Sequence, residues 1–434
     1  MRLNWFSPLP PARTDIAHYT ARVLPALTSL AEVTLWTDQQ DGDQNLTQEV
    51  EVRSYRLDRM PWVELNRADA TFYQIGNNPV FHSTIWQISR LHAGIVVLHD
   101  LRLHHFFDDI FRVQRRDLSS YLAVMGHYYG EQGMRDATEC FYGQARNIGY
   151  MAEQYPLTRF AVEDQLGIVA HTQEAYDALS SDQNCPVVLA PLPFAPRNET
   201  VPTKQAGPPY RLIVFGYIGR NRRLVPIFRA LAQLPERNQF KLDVYGDILD
   251  EEDQLRAEIR SLDLKEQVRL RGFATEARLD EALSQAHLAI NLRYPTMGEA
   301  SGSQLRIWAH RLPALVSRAD WYATLPADTV GFVRTDENEI ADIQLRLREF
   351  LTDPRLFAAM GERGYQLLKD KHAPLIYSER IVEFARYCQG LRPRVAANRL
   401  AERTGALLGE WLSLHGVGNA DRDVAARIYE FGAS

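Results

Sequence analysis

Short apolar runs alternate with helical patterns along most of the chain. Five runs in the first half fall at residues 2–8, 32–38, 70–77, 93–100 and 166–172. Six runs in the second half fall at residues 210–217, 240–247, 268–273, 288–294, 313–317 and 330–335. Several of them have apolar residues at consecutive positions, which is typical of strands buried on both faces of a parallel sheet. This alternation predicts an α/β protein with two doubly wound domains.

The alternation is interrupted at residues 187–210, where six prolines stand among polar residues. Such a stretch is typical of a linker. We therefore predict a first domain at residues 1–195, a linker at 196–209 and a second domain at 210–375. Residues 376–434 are predicted to form C-terminal helices, of which the first packs back toward the N-terminal domain.

Residues 101–160 contain no clear strand pattern, so we predict a helical elaboration of the first domain there. The segment is rich in basic and aromatic side chains, including Arg112, Arg115, Arg116, Tyr121, Tyr128 and Tyr129. These side chains either line a cleft for an acceptor or face a membrane, or they belong to an ordinary solvated helical cap. The pattern alone does not separate these alternatives.

Composition and charge exclude some classes of function. The 434 residues carry a formal net charge of −6 and the sequence pI is near 6.1, which argues against non-specific nucleic-acid binding. Three cysteines, Cys140, Cys185 and Cys388, have no metal-ligand spacing and fit a reducing compartment. The chain begins directly with a strand-like run, and no apolar run reaches the roughly 18 residues of a membrane-spanning helix. We therefore expect a cytoplasmic protein that contacts membranes at most peripherally, at their inner face.

The stretch NLRYPTMGEASGSQLRIWAHRLPALVS, residues 291–317, ends one strand pattern and begins a helical one. An acid, Glu299, precedes three small residues, Ser301, Gly302 and Ser303. Small residues at a helix start let backbone N–H groups approach a ligand, and the helix dipole adds positive potential there. In an open parallel sheet such a loop lies at the ligand-binding edge. The pattern therefore predicts an anion site, most naturally for phosphate.

Glu299 is unexpected beside a phosphate, because a carboxylate repels one. A carboxylate is, however, a strong acceptor for hydroxyl groups, so the combination favours a ligand that carries both, such as a nucleotide sugar. The serines also have a purely structural interpretation, in which Ser301 or Ser303 is the N-cap of the helix.

A second loop, VFGYIGRNRR at residues 214–223, leaves one predicted strand and enters a helix. It holds two glycines, Gly216 and Gly219, and the adjacent Arg222 and Arg223. Guanidinium groups at a helix start suit one face of a diphosphate. Surface arginines are also common at helix starts, so this loop supports the predicted anion site at residues 301–303 but does not establish one by itself.

Taken together, these residues resemble glycosyltransferase family 4. The matching stretches occur in order over about residues 1–390, and they are FSPLPPARTDIAHYT, YQIGNNPVFH, VVLHDLRLHHFF, VFGYIGRNRRL and YPTMGEASGSQLR. The resemblance implies the GT-B fold, in which two Rossmann-like domains face each other across a cleft. It also implies a retaining transfer of a sugar from a nucleoside diphosphate sugar to an acceptor hydroxyl.

The resemblance also implies roles for the matching positions in the second domain. Glu299 matches the first acid of the family's E-x7-E motif, which contacts donor-sugar hydroxyls. The backbone amides that hold the sugar and the distal phosphate match the loop of Ala300, Ser301, Gly302 and Ser303. Arg222 stands where the family has a lysine that stabilises the diphosphate leaving group. The remaining members of the implied donor site are Gly216, Tyr217, Arg223 and Arg306.

Some positions depart from the family pattern. The family arginine five residues before the lysine falls on Tyr217. The second acid of E-x7-E falls on Ile307 when counted from Glu299, and on Arg306 when counted back from Pro313. We therefore predict that Arg306 reaches a phosphate in place of the missing arginine.

In the first domain the implied N-terminal loop faces the acceptor and the phosphate, with Thr14, Asp15 and His18 as its members. Asp15 stands where glycine is usual, and an aspartate tolerates a left-handed backbone better than most residues. His99 matches the family residue beside the donor sugar, and Asp100 follows it at the ligand edge of the sheet. From the residues alone, the more common interpretation of His99 is a buried histidine at a strand end that is bonded to backbone. The predicted catalytic residues are His99, Asp100, Arg222 and Glu299.

No metal or other cofactor is expected, because the candidate ligands are badly placed. Asp41–Gly–Asp43 and Asp421–Arg–Asp423 lie away from both phosphate loops, and His104, His105 and Asp108 share one short helix face. The expected partners are a nucleotide sugar and a glycan, a lipid-linked or another hydroxyl acceptor, as in cell-surface polysaccharide synthesis. Two other functions stay open, namely a sugar-nucleotide epimerase or hydrolase on the same fold and a catalytically silent binding or scaffold subunit.

Overall fold

The computed structural model describes residues 1–39, 50–181, 185–195, 204–248 and 252–415. The chain forms two compact units. The first unit comprises residues 1–190 and 378–434, and the second comprises residues 191–377. Each unit is built on one parallel sheet with helices between the strands, so the predicted α/β architecture is confirmed.

The sheet of the first unit has seven strands within the described residues. They are β1 (Arg2–Phe6), β2 (Glu32–Thr37), β3 (Glu51–Ser54), β4 (Ala70–Ile75), β5 (Ile95–Leu98), β6 (Gly167–Ala170) and β7 (Val187–Leu189). Their order across the sheet is β3-β2-β1-β4-β5-β6-β7, and all pairs are parallel. The direction of the winding therefore reverses between β1 and β4, which is where an open parallel sheet forms a ligand crevice at its carboxyl edge.

Helices connect and cover these strands. The first unit contains α1 (Asp15–Thr28), α2 (Trp62–Leu65), α3 (Pro79–Leu91), α4 (His104–Asp108), α5 (Leu118–Phe141), α6 (Ile148–Gln154), α7 (Thr158–Val162) and α8 (Gln173–Ser180). A π-helical stretch, Asp109–Arg115, follows α4. Because helices lie on both faces, all six residues of β4 are buried, including Thr71 and Gln74.

The predicted helical elaboration at residues 101–160 is observed, and three of its tyrosines have structural partners. Tyr121 is buried and its hydroxyl bonds the His104 ring at 2.6 Å. The Tyr128 hydroxyl donates to Glu163 at 2.7 Å, and the Tyr129 hydroxyl accepts the Leu157 N–H at 2.8 Å. These contacts favour the interpretation of this segment as an ordinary helical cap.

The sheet of the second unit has six strands within the described residues. They are β8 (Tyr210–Phe215), β9 (Phe240–Tyr245), β10 (Val268–Gly272), β11 (Leu288–Asn291), β12 (Ala314–Ser317) and β13 (Gly331–Val333). Their order is β10-β9-β8-β11-β12-β13, again with parallel pairing. Here the winding reverses between β8 and β11, so the loops that follow these two strands are neighbours.

The helices of the second unit complete its two layers. They are α9 (Leu224–Gln233), α10 (Glu252–Ser261), α11 (Glu276–Gln285), α12 (Gly302–Ala309), α13 (Asp320–Ala323), α14 (Glu339–Thr352) and α15 (Pro354–Lys371). Short 3-10 turns lie at Arg220–Arg222 and Arg237–Gln239. The face of α9 that carries Leu224, Ile227, Phe228 and Leu231 is buried in the core of this unit.

Two further helices, α16 (Pro374–Gln389) and α17 (Arg392–His415), bring the chain back into the first unit. A side-chain carbon on Gly167 of β6 would lie 2.6 Å from the Cys388 sulfur and 2.7 Å from the Phe384 ring. The Arg392 guanidinium donates to the carbonyl of Ala68 at 3.3 Å. A membrane crossing needs a long apolar helix, and no helix in the described ranges meets that requirement.

Two strands were missed by the sequence pattern. Glu51–Ser54 (β3) lies at the edge of the sheet and is only partly buried, so it has no apolar run. Val187–Leu189 (β7) occupies the opposite edge, inside the stretch that was interpreted as linker-like. Edge strands contact one neighbour only, and their sequence is correspondingly less constrained.

Packing between α15 and α12 supports a direct stability test. A side-chain carbon on Gly364 would lie 2.1 Å from the Trp308 ring, which is fully buried. We predict that Gly364→Ala lowers the free energy of unfolding by about 1–3 kcal/mol through overpacking, measured by denaturant unfolding followed by circular dichroism.

The matched control is Gly405→Ala in α17, where the new carbon meets nothing within 4 Å. The same chemical change should there leave stability unchanged or raise it by up to about 1 kcal/mol. Equal stability of the two variants would show that the Trp308 contact does not limit this position.

Candidate functional site

The two loops singled out in the second half of the chain lie side by side at the carboxyl edge of the second sheet. One follows β8 and leads through Arg220–Arg222 into α9. The other follows β11 and ends at Ser301, where α12 begins. Because β8 and β11 are adjacent in the sheet, the structure brings together residues about 80 positions apart, as the Arg222–Ser303 contact shows.

Arg222 is the centre of this site. Its side chain is buried, with 3% of the residue exposed. Each of its three nitrogens has an oxygen partner: Nε donates to the Tyr217 carbonyl at 3.3 Å, Nη1 to Asn291 Oδ1 at 2.9 Å and Nη2 to Ser303 Oγ at 3.4 Å. The guanidinium is thereby fixed in plane and orientation at the carboxyl ends of β8 and β11.

Gly216 makes room for this guanidinium. Its φ is +108°, a conformation that side chains disfavour. An added side-chain carbon would lie 2.6 Å from Arg222 Nη2 and 3.7 Å from Ser303 Oγ. The glycine predicted from the loop pattern is therefore required for both its backbone angle and its missing side chain.

Behind Arg222 lies a pair of buried amides that the sequence analysis did not identify. Asn291 ends β11 and is 4% exposed, and Gln304 lies in the first turn of α12 and is fully buried. Asn291 Nδ2 donates to Gln304 Oε1 at 3.0 Å. Within the described residues, Gln304 Nε2 has no hydrogen-bond partner.

The start of α12 presents backbone donors beside this network. Ser301 is the N-cap, and its Oγ accepts the Gln304 N–H at 3.1 Å, so the structural interpretation of this serine is confirmed. The N–H groups of Gly302 and Ser303 make no hydrogen bond to the part of the chain that the structure describes. Space beside Gly302 is open, since an added side-chain carbon would meet nothing within 4 Å. Two helix-start donors that have no partner among the described residues therefore lie close to Arg222 and to the open space at Gly302, which suits an anion site.

Glu299 lies just before this helix start. Its Oε1 accepts from Arg293 Nη1 at 2.5 Å, and its Oε2 accepts the Met297 N–H at 2.6 Å. The carboxylate is therefore oriented by a cation and a backbone amide and keeps acceptor capacity, while Ala300 forms the link to the N-cap.

Two arginines that were predicted to bind the donor are engaged elsewhere. Arg223, with φ +57°, pairs with the buried Glu339 at the start of α14, and this pairing raises its pKa. Arg306 pairs with Asp280 at 2.5 Å and Glu276 at 3.0 Å on α11, so the prediction that it reaches a phosphate is not supported. Tyr217, by contrast, lies in the loop with 37% of its surface exposed.

In the first unit His99 and Asp100 follow β5 at the carboxyl edge of the sheet. Asp100 Oδ2 accepts the Asn77 N–H at 2.7 Å. His99 Nε2 contacts Gln74 Oε1 at 2.9 Å, and its ring lies 4.9 Å from that of Tyr19 and 5.1 Å from that of His171. Burial, with His171 and His82 nearby, holds the pKa of His99 well below its usual range. His99 is therefore a neutral hydrogen-bonding group rather than a cation.

The N-terminal loop residues lie at the start of α1. Thr14 is the N-cap, with its hydroxyl accepting the Ile16 N–H at 3.4 Å. Asp15 is the first helical residue and is exposed, and it is not among the residues with positive φ. The position therefore makes no use of the tolerance of aspartate for a left-handed backbone. His18 follows in the first turn and is half-buried.

The candidate metal ligands do not form a cluster. His104 is held by the Tyr155 carbonyl and the Tyr121 hydroxyl, and Asp108 pairs with Arg112. Within the described residues no group of three or more His, Cys, Asp or Glu side chains is arranged to hold a metal. Both D-x-D triplets, at residues 41–43 and 421–423, lie outside the described residues.

A buried histidine, His82, gives the first unit a pH-dependent stability. Its Nδ1 contacts the Gln74 carbonyl oxygen at 2.9 Å, and burial lowers its pKa to about 4. As the pH falls below about 6.5, the unfolded chain binds a proton at His82, whereas the folded chain binds it only near pH 4. The contribution of His82 to the free energy of unfolding is therefore fully present above pH 6.5 and is lost as the pH falls toward 4. We predict a loss of about 3 kcal/mol from this residue across that window.

Denaturant unfolding of the wild type and His82→Asn at several pH values measures the effect. Asparagine keeps a donor for the Gln74 carbonyl but does not titrate, so the pH slope should flatten in the variant. The control is His127→Asn, at an exposed position of α5. An unchanged slope in His82→Asn would contradict the assignment.

Comparison with known proteins agrees with this geometry. Residues 198–367 match the family described as glycosyl transferases group 1. No curated protein matches the chain by sequence comparison.

Three solved structures illustrate the likeness of the fold. Sucrose-phosphate synthase from Thermosynechococcus elongatus is similar at 16% identity and a TM-score of 0.60, over 89% of this chain and 98% of that chain. Anabaena Alr3699/HepE in complex with UDP and glucose is similar at 14% identity and a TM-score of 0.59, over 89% and 100%. A variant of S. aureus TarM in complex with UDP, fondaparinux and α-GlcNAc-glycerol is similar at 13% identity and a TM-score of 0.52, over 75% and 57%. The chain thus has the GT-B fold, and residues 198–367, which include most of its second unit, resemble the glycosyl transferases group 1.

Proposed function

We propose that this protein is a retaining glycosyltransferase of family 4 that moves a sugar from a nucleoside diphosphate sugar to an acceptor hydroxyl. One observation carries the proposal: buried Arg222 lies beside the open N–H groups of Gly302 and Ser303, with Glu299 just before them. A cation and helix-start donors suit a diphosphate, and an oriented carboxylate suits sugar hydroxyls.

The known structures support this choice of ligands. Alr3699/HepE holds UDP and glucose, and the TarM variant holds UDP together with α-GlcNAc-glycerol. We therefore propose a nucleoside diphosphate sugar as donor and a glycan or glycolipid hydroxyl as acceptor, in the synthesis of a cell-surface polysaccharide.

The proposed chemistry is governed by charge at the leaving group. The bond from the anomeric carbon to the diphosphate oxygen breaks, and the bond from the acceptor oxygen to that carbon forms on the same face. Arg222 and the amides of Gly302 and Ser303 stabilise the negative charge that develops on the diphosphate. The acceptor proton passes to a phosphate oxygen of the leaving group, so the step requires no protein base and no metal. His99, being neutral, supplies a hydrogen bond to a substrate hydroxyl, and Asp100 orients the acceptor.

Removal of either donor contact tests the assignment. We predict that Arg222→Ala and Glu299→Ala each lower kcat/KM for sugar transfer by roughly 10²–10³, because each loses an interaction that strengthens as the leaving group departs. The measurement is steady-state transfer with the donor that the wild type binds, in the presence of a chelator. The control is Arg229→Ala, which removes an exposed arginine of α9 that pairs with Glu258 and should retain full activity.

Calorimetric titration with a panel of nucleoside diphosphates and their sugars identifies that donor. Micromolar binding of one base without metal supports the proposal. Binding followed by hydrolysis or epimerisation without an acceptor would replace transfer by one of those activities. Absence of binding across the panel would favour a catalytically silent scaffold subunit.

A further inference from the structure

The contact between Arg222 and Asn291 has a property that sets it apart from the neighbouring arginine contacts. Arg223 is held by the carboxylate of Glu339, and Arg306 by the carboxylates of Asp280 and Glu276. Asn291 instead offers Arg222 Nη1 a neutral amide oxygen at 2.9 Å. A neutral acceptor fixes the direction of a guanidinium and adds no negative charge of its own.

An asparagine amide fixes that direction only if its own orientation is fixed. Rotation by half a turn would place its NH₂ group against the guanidinium, donor against donor. Gln304 prevents this rotation, because its Oε1 accepts from Asn291 Nδ2 at 3.0 Å. Both amides are almost completely shielded from water, so solvent does not compete for these bonds.

Gln304 also ties this pair to the helix start. Its backbone N–H is capped by Ser301 Oγ at 3.1 Å, and it directly follows Gly302 and Ser303, whose N–H groups have no hydrogen-bond partner among the described residues. A side chain that belongs to the first turn of α12 therefore sets, through Asn291, the position of a cation that belongs to the β8 loop.

We propose that Asn291 and Gln304 are positioning residues for the donor diphosphate. Gln304 orients Asn291. Asn291 in turn orients Arg222, so that its guanidinium and the backbone amides at the start of α12 bind the same diphosphate. This inference rests on the proposed function, and it adds two residues that lie behind the ligand-contacting groups.

The same geometry implies that lysine cannot replace Arg222 in this chain. Three separate guanidinium nitrogens reach the Tyr217 carbonyl, Asn291 and Ser303. An ammonium group is a single point and cannot span these three acceptors at once. Arg222→Lys should therefore keep the charge and still lose most of the donor binding.

The decisive variant is Asn291→Asp, because it keeps size and shape and changes the neutral acceptor into an anion. The new carboxylate pairs with Arg222, so the folded protein should be at least as stable as the wild type in thermal unfolding. The negative charge of the carboxylate lies next to the guanidinium and repels the diphosphate of the ligand. We expect the Kd for the nucleoside diphosphate that the wild type binds to rise at least tenfold, measured by calorimetry with UDP and GDP as probes.

Gln304→Met tests the second residue while keeping the volume of a buried side chain. With the acceptor removed, Asn291 is released from its orientation, and we expect a several-fold rise in Kd and a lower kcat. Asn291→Asp combined with Gln304→Met should bind no more weakly than Asn291→Asp alone, since a carboxylate needs no orienting partner. A purely structural role for the two amides predicts that each single variant loses stability in thermal unfolding and still binds nucleotide as the wild type does.

The matched control is Gln267→Glu, an amide-to-acid change at another buried position of the second unit. Gln267 lies just before β10, at the amino end of the sheet, and its Nε2 donates to Asn238. This variant should bind nucleotide as the wild type does.

The possible outcomes separate the inference from the function on which it rests. If the wild type binds neither probe nor any nucleoside diphosphate, the proposed donor site fails and this inference with it. If the wild type binds and Asn291→Asp binds equally well, the donor site stands and the positioning role is overturned. Weaker binding by Gln267→Glu to the same extent would also overturn it, because added charge anywhere in the unit would then explain the loss.

Discussion

The burial of one positive charge organises the edge of the second sheet. A guanidinium that is nearly closed off from water must have its donors satisfied by oxygen atoms in fixed positions, or its burial is costly. For Arg222 these oxygens come from the β8 loop, the end of β11 and the first turn of α12. The three segments are far apart in the chain, so correct pairing of β8 with β11 is a condition for the site. Gly216 meets the remaining steric requirement, because any side chain there would occupy the volume of the guanidinium.

The arginines around this edge show that residue type does not decide role. Arg223 and Arg306 carry the same group as Arg222, and both pair with carboxylates on helices, Arg223 on α14 and Arg306 on α11. Glu299 is the opposite example, because it is an acid that lies beside the proposed anion site. Its pairing with Arg293 balances its charge locally, which would reduce its repulsion of a phosphate in the proposed donor site. Local charge pairing thus lets cations and an acid work within one small region.

Much of this arrangement could be predicted from the sequence, and the failures have physical causes. The central strands are continuous apolar runs because both faces are covered, so β4, β5, β8 and β11 were recognised. The small residues at the start of α12 and the glycine after β8 were also recognised, because the requirement for a small side chain or a special backbone angle shows in the local sequence. The pairing of Arg306 with carboxylates was not predicted, because its partners on α11 are about 30 residues away along the chain and leave no local sequence pattern.

The buried amides were missed for a related reason. Asn291 stands at the end of an apolar run and looks like the start of a loop. Ser301 and Gln304 have the spacing of a capping box, which would direct the Gln304 side chain back to the Ser301 backbone. The structure sends that side chain to Asn291 instead, because a buried amide in the adjacent strand needs an acceptor.

The discontinuity of the first unit has a consequence for how the protein is made. Residues between 384 and 399 contact the rest of the first unit, whose last strand, β7, ends at Leu189, and the whole of the second unit is encoded between them. During synthesis the face of β6 at Gly167 therefore stays without Phe384 and Cys388 while more than 200 further residues emerge. The second unit, which is continuous in the chain, is complete before the first one closes. A chain that stops early at its C-terminus would release a finished second unit attached to a first unit with an uncovered core.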